Sequence, residues 1–305
     1  MPPPNRPRYR RMPLEVAVFS PAAALQAQRL GANRIELNAT GSYSVGGLTP
    51  PVSDLVQLLA RRELNIPVHI MIRPRAAPED GSPDFMYSDE EIVQMVRSIH
   101  DFKDARVMNP LFGDRFVVGA LRLSSGHSSD GSDDGSSTSP LSHVRIDQDV
   151  CRIFVNEAKP FRCVFHRAFD AIAAASRSVD GGQLLLHLGF EGVLTAGGLY
   201  GTCCDTDNVD EVDHMCHRLA GRVNIIVGGG LRRHNVGPAA SQLAVYDDNT
   251  VWFHTSAVQV RDGVVTEDID TDELHGLVNQ LALTSPAWKD PAGHWLRVYG
   301  PGARR

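Results

Sequence analysis

The sequence predicts a single α/β domain folded as a (β/α)8 TIM barrel. Three observations predict it: eight short β-rich runs, helical segments between them, and a span of about 250 residues for the alternating units, the usual size of that fold. A doubly wound open sheet is the rival, but no G-x-G-x-x-G follows the first run. Strands are predicted at Leu14–Phe19, Arg34–Asn38, Pro67–Arg73, Phe116–Leu121, Phe161–His166, Glu191–Thr195, Val223–Val227 and Val251–Thr255. The first helix is predicted at Pro21–Leu30, closed by Gly31, the second at Pro51–Arg62, and the third at Ser88–Lys103, where Ser88 and Glu91 form a capping box. The others follow at Asp147–Ala158, within Ala171–Leu188 closed by Gly189, at Asp207–Leu219 closed by Gly221, around Asn235–Val245, and at Asp270–Leu283.

The 305 residues are 42% hydrophobic and 22% charged, enough to bury a sizeable core. A formal net charge of −6 offers no general attraction to phosphate backbones or anionic lipid, so neither nucleic acid nor membrane is expected as a partner. The sequence has no apolar run of the roughly 18–20 residues a spanning helix needs and no signal-peptide core, which predicts a cytoplasmic protein. Five cysteines at irregular spacing, with no CxxC pair, suit reduced thiols.

The predicted barrel occupies residues 14–284. Residues 1–13 read as a disordered basic, Pro-rich tail, and residues 285–305 as an extension carrying Trp288 and Trp295. The stretch Ser124–His143 is rich in Ser, Gly and Asp, and reads as a disordered insertion after the fourth strand, dispensable for folding.

Strand side chains alternate between the helices and the barrel axis. One parity is apolar and expected beneath the helices: Leu14, Val16, Val18, Ile35, Leu37, Val68, Ile70, Ile72, Cys163, Phe165, Leu194, Val251 and Phe253. The other parity carries Glu15, Arg34, Glu36, Asn38, His69, Arg73, Arg162, His166, Thr195 and His254, which are expected to converge on the axis. Isolated charges there cost several kcal/mol each, by order of magnitude, unless paired or liganded. A hydrogen-bonded cluster of Glu15, Glu36, Arg73 and His166 is therefore expected. It serves either a functional site or a purely structural network, such as Arg73 bridging the two glutamates.

The same residues sit in segments that resemble the copper homeostasis protein CutC family. These are LEVAVFS at 14–20, GANRIELNA at 31–39, GGLTP at 46–50, PVHIMIRPR at 67–75, FMYSDEE at 85–91, VVGAL at 117–121, FHRAFD at 165–170, GVLTAGG at 192–198, IIVGGGL at 225–231 and FHTSA at 253–257. The resemblance implies a TIM-barrel protein linked to copper tolerance, usually a homo-oligomer. It also implies candidate Cu+ thiols in the first strand and after the glutamate of the second. Those positions here read Ala17, Val18 and Asn38, so any copper is expected as Cu2+ rather than Cu+.

Three groups of residues are candidates for chemistry. Glu15, Glu36, Arg73, His166 and Asp170 form a candidate catalytic set, with Asp170 either orienting the His166 imidazole or capping the next helix. Arg75, Thr195, Gly197, Gly229, Gly230 and Ser256 form a candidate anion- or cofactor-binding set, on the expectation that a phosphate sits between the last two strand-end loops and a short helix N-terminus. His69, His166, His254 and Glu36 form a candidate metal set of the mixed N/O kind that suits Zn2+, Cu2+ or Mn2+. Cys203 and Cys204, adjacent in sequence, are poorly placed to chelate one ion. Two functions follow from these sets: copper binding, or an enzyme acting on a small anionic metabolite, phosphorylated or not.

Overall fold

The computed structural model describes residues 12–60, 62–124, 143–219, 221–247, 250–282 and 284, together with the backbone of 287–289 and 295–297. In order come β1 (Leu14–Val18), α1 (Pro21–Arg29), β2 (Arg34–Leu37), α2 (Val52–Ala60), β3 (Val68–Met71), α3 (Asp89–Asp104) and β4 (Arg115–Val118). A hairpin follows, β5 (Leu121–Leu123) and β6 (Val144–Ile146), and then α4 (Gln148–Ala158) and β7 (Arg162–Phe165). The remaining half holds α5 (Asp170–Ala173), α6 (Ser178–Leu188), β8 (Phe190–Thr195), α7 (Thr206–Leu219), β9 (Asn224–Gly228), α8 (Val236–Leu243) and β10 (Val251–Thr255). A second hairpin, β11 (Val258–Arg261) and β12 (Val264–Ile269), precedes α9 (Thr271–Ala282), and β13 (Ala287–Lys289) pairs with β14 (Trp295–Arg297).

Strands β1, β2, β3, β4, β7, β8, β9 and β10 form a closed parallel barrel, with β10 returning to β1. Local chemistry sets the helix starts: Ser20 accepts from the Ala23 N–H ahead of Pro21, and Ser88 and Glu91 complete the expected capping box. Asp147 accepts from the Val150 N–H at 3.1 Å, and Gly189 closes α6 at φ +96°. The helix expected within Ala171–Leu188 is α6, with the short α5 ahead of it. The hairpins β5–β6 and β11–β12 carry no signal that the strand reading used.

Two apolar layers hold the barrel. The larger lies between strands and helices and includes the fully buried Phe116, Phe165 and Phe190, with the last two edge to face at 5.5 Å. Each such ring contributes roughly 2 kcal/mol by burial. The smaller fills one side of the interior with Met71, Val117, Val164, Leu194 and Ile226, backed by Trp252. Leu194 therefore faces the axis, not the helices, and Thr195 faces away from it. The register that pairs Leu194 with Ile226 places both in this interior cluster, and the predicted face of the sixth strand is corrected by one residue. Arg162 is exposed and does not converge with the others.

The interior is thus unequal. Strands β1, β2, β3 and β10 bring Glu15, Glu36, His69 and His254 inward, against an apolar wall from β4, β7, β8 and β9. The neighbouring apolar side chains leave those charges little water. Above them, at the carboxyl ends of the strands, a cavity of about 610 Å³ opens to solvent. Among the described residues no helix is long and apolar enough to cross a membrane.

Candidate functional site

Glu15 is the hub of the barrel floor, and it sits beside His254 on one neighbouring strand and Arg34 on the other. Its Oε2 accepts from Arg34 Nε, and its Oε1 lies 2.7 Å from His254 Nδ1. His69 Nδ1 stands 3.0 Å from Oε2, off the line of a hydrogen bond. The Arg34 guanidinium also stacks 3.8 Å over Trp252, which shields the pair from water. Burial alone would raise the Glu15 carboxyl, but the charge of Arg34 and the imidazoles of His69 and His254 beside it hold it well below the ordinary range.

Glu36 is one step nearer the mouth. Its Oε1 accepts from Asn38 Nδ2 at 3.2 Å, and its Oε2 has no partner among the described residues. Burial raises its pKa, the charge of Glu15 adds to the rise, and His254 opposes it. For His254, burial would lower the pKa. The hydrogen bond to Glu15 and the charges of both glutamates outweigh that and raise it. Deep burial with Arg34 nearby takes His69 down to about 4, so it is neutral.

Arg73 takes a different path from the one expected. Its Nη1 donates to Val45 O at 2.5 Å and Gly47 O at 3.1 Å, and its Nη2 to Asp84 at 2.8 Å. The loops after β2 and β3 supply those acceptors, so Arg73 bridges neither glutamate. His166 Nδ1 accepts from the Ala168 N–H at 3.3 Å, and burial, with Arg73 nearby, lowers this imidazole to about 3. Glu15, Glu36, Arg73 and His166 are thus not one hydrogen-bonded cluster. They form a floor group and a wall group, because Glu15 and Glu36 lie within β1 and β2 whereas Arg73 and His166 follow the last residues of β3 and β7.

Asp170 neither orients His166 nor caps a helix. Its Oδ1 accepts from Thr195 Oγ1 at 2.7 Å and the Ala196 N–H at 2.8 Å, and its Oδ2 from Arg167 Nε at 2.8 Å. This ties the end of β7 to the end of β8, and burial raises the Asp170 pKa against the pull of Arg167.

Of the predicted site residues, Glu36, Arg73, His166, Asp170, Gly229, Gly230, His254 and Ser256 line the cavity, while Glu15, His69, Arg75, Thr195 and Gly197 do not. Glu15 and His69 belong to the floor but do not reach the cavity surface. Arg75 is committed to Glu91 at 2.5 Å and to Met86 O at 2.8 Å. At Gly197 the φ of +89° and the Asn208 carbonyl, 2.3 Å from where a Cβ would stand, make a packing requirement and leave no room for a ligand. The expected phosphate cradle is also incomplete, since β10 leads into the β11–β12 hairpin where a short helix was expected.

One ligand atom each from Glu15, Glu36 and His254 lie within 4.8 Å of one another, a grouping fit to hold a metal ion. His69 and His166 are outside it. The donors are carboxylate and imidazole, which suit Cu2+ and not Cu+. Because Glu15 engages Nδ1, the other ring nitrogen of His254 is left for a ligand, with the carboxylate holding the ring in place behind it. Residues missed in the sequence also line the cavity: Asp84, Phe85, Arg167 and Arg232. Phe85 and Arg167 sit within the segments FMYSDEE and FHRAFD, and their position after a strand was the available signal.

A closed parallel barrel with carboxylates, imidazoles and guanidiniums gathered at the carboxyl ends of its strands defines a TIM-barrel protein with one polar mouth. The model of the CutC family matches residues 12–126 and 138–250. The copper homeostasis protein cutC homolog of Homo sapiens is 32% identical over 253 residues, covering 82% of this chain and 74% of its own. A family protein CutC of Xanthomonas axonopodis pv. citri is 31% identical over 246 residues, covering 81% and 83%. The crystal structure of a putative copper homeostasis protein CutC from Streptococcus agalactiae superposes with a TM-score of 0.61 at 21% identity, covering 80% of this chain and 98% of that one. This chain belongs to the CutC family.

Proposed function

We propose that the chain serves copper homeostasis, the role its relatives are named for, by binding a Cu2+ ion at the barrel floor between Glu36 and His254, with Glu15 orienting the imidazole. The observation that carries this reading is the convergence of ligand atoms from Glu15, Glu36 and His254 within 4.8 Å, with Glu36 Oε2 unpartnered. Arg34 beside Glu15 already neutralises that carboxylate, which makes Glu36 the main source of negative charge for the ion. Calorimetric titration with Cu2+ should give one site per chain, weakened about tenfold or more by Glu36→Gln. The nitrogen hyperfine pattern in the electron paramagnetic resonance spectrum should vanish in His254→Phe. Tight Cu+ binding that survives both variants and disappears in Cys203→Ser with Cys204→Ser would refute the assignment.

A second reading, an enzyme acting on a small anionic molecule, is favoured by one observation. Glu36, with its pKa raised by burial, and neutral His166 both line the cavity, each with an unpartnered polar atom. A carboxyl with a raised pKa on the same cavity as a neutral imidazole suits proton transfer. Screening small anions for saturable binding to the copper-free protein tests this reading. It fails if no anion binds.

A further inference from the structure

Four polar atoms on side chains that line the cavity lack a partner among the described residues: Glu36 Oε2, Asn38 Oδ1, Arg73 Nε and His166 Nε2. All four residues are at most 4% exposed. Leaving one such atom unsatisfied costs about 1–3 kcal/mol, so four on one cavity describe a ligand by its complement.

The atoms divide by chemistry. His166 Nδ1 accepts from Ala168, so the ring proton is on Nε2, a donor. Arg73 uses Nη1 and Nη2 on Val45, Gly47 and Asp84, so Nε–H remains. Both groups flank the Phe85 ring, the imidazole at 4.7 Å and the guanidinium at 5.0 Å. Phe85 itself is held at φ +63°, which costs roughly 1–2 kcal/mol and places strain at the point where the two donors meet. On the floor, Glu36 Oε2 is an acceptor for an O–H group, whereas Asn38 Oδ1 lies against Gly47, 2.1 Å from where a Cβ would stand there.

Charge sets the anion class. Asp84 offsets Arg73 and Asp170 offsets Arg167, so among the described residues of the wall only Arg232 lacks a carboxylate partner. That balance fits a monoanion. A phosphate needs a cradle of backbone N–H groups, and the space over Gly229 is filled instead by the Arg167 guanidinium, 3.1 Å from where a Cβ would stand.

We propose that the mouth of this barrel takes a small hydroxycarboxylate, with its carboxylate between His166 and Arg73 and its hydroxyl donating to Glu36. The proposal rests on the second reading above and adds the substrate class. Saturation-transfer NMR on the copper-free protein with glycolate, acetate and inorganic phosphate tests it. Glycolate should bind about tenfold more tightly than acetate, the value of one hydrogen bond to a charged group, and phosphate should not compete. His166→Phe keeps the ring packing on Phe85 and should weaken glycolate about tenfold, while His166→Gln, which returns an N–H, should recover most of the binding. Phosphate binding more tightly than glycolate would overturn the class while leaving the anionic reading intact, and the absence of any bound anion would overturn both. Equal affinities for glycolate and acetate, or unchanged binding in His166→Phe, would overturn the placement.

Discussion

His254 Nδ1 stands 2.7 Å from Glu15 Oε1 across the seam where β10 pairs with β1 and closes the barrel. The two residues are 239 positions apart, and the bond holds the last strand against the first at the level of the floor. Arg34 and His69 complete the group around the same carboxylate. Replacing Glu15 with Gln leaves the Arg34 charge buried without its partner, so the expected loss is about 3–5 kcal/mol in chemical denaturation. The raised pKa of His254 should also fall in the variant, which a histidine NMR titration reads directly. A loss below about 1 kcal/mol would show that the floor pair is dispensable.

Much of this site was legible in the sequence, and the reason is parity. Glu15, Glu36, His69, Arg73, His166 and His254 fall on one face of strands whose other face is Val, Ile and Leu, and a closed barrel sends that face inward. Parity does not say which polar groups meet. Arg73 is on the inward face, yet its partners Val45, Gly47 and Asp84 come from loops whose paths no periodicity encodes. Leu194 was misplaced because Gly192 interrupts the alternation on β8, where the register also shifts against β7. The β11–β12 hairpin was missed for a similar reason, since it is short, largely exposed and lacks a buried face.

That hairpin reaches the site through Glu267, whose carboxylate accepts from the Gly41 N–H at 2.6 Å and the Tyr43 N–H at 2.8 Å. Tyr43 and the residues after it line the cavity. Glu267→Ala removes both bonds and should cost about 2–3 kcal/mol, the scale of hydrogen bonds to a charged group at a half-buried position. Limited proteolysis should then cut faster near Ser44. Unchanged cleavage would show that the loop is held by other contacts.

The buried histidines set the acid limit of stability. His69 and His166, taken down to about 4 and about 3, stay neutral when folded, whereas the unfolded chain protonates near pH 6.5. Below about pH 6.5 the unfolded state therefore binds more protons, and stability falls as pH is lowered, by up to about 1.4 kcal/mol per pH unit for each histidine. Glu36, with a raised pKa, offsets part of this by taking a proton in the folded state first. His254 acts in the other direction: its contribution is complete below about pH 6.5 and is lost as pH rises through its raised value. Urea denaturation at pH 7 and pH 5.5 should show a steep acid loss that His166→Gln flattens by about one proton. The same slope in both proteins would mean that His166 is not buried neutral.

Most of the expected insertion, residues 125–142, lies outside the described residues, and its flanks are brought together by the Ser124 N–H donating to His143 O at 2.7 Å, above the β5–β6 pairs Leu121 with Ile146 and Leu123 with Val144. Antiparallel strands in that register accept a two-residue Asn-Gly turn. Replacing 125–142 by such a turn should leave the melting temperature within about 2 °C, because closing a shorter loop changes the entropy only slowly. A larger drop would show that this stretch contributes packing to the barrel.

Gly119 gives the sharpest test of how closely the wall of the site is packed. Its φ lies outside the left-handed region, so alanine meets no backbone strain there; what it meets is space. An added Cβ would stand 2.8 Å from His166 Cε1, 2.9 Å from His166 Nδ1 and 3.1 Å from Phe165 Cε2. Neither neighbour can yield easily, because His166 Nδ1 is engaged by Ala168 and Phe165 packs edge to face on Phe190 at 5.5 Å and on Phe169 at 6.4 Å. Gly119→Ala should therefore cost about 1–3 kcal/mol by overpacking and shift the His166 ring resonances. Gly41→Ala makes the contrast, since Gly41 has φ +83° with nothing within 4 Å of its added Cβ. There the cost is backbone strain alone, roughly 1–2 kcal/mol, and His166 should not respond. If Gly119→Ala leaves the His166 resonances in place, the imidazole is not held against the β4 end as described, and the wall group of the site must be redrawn.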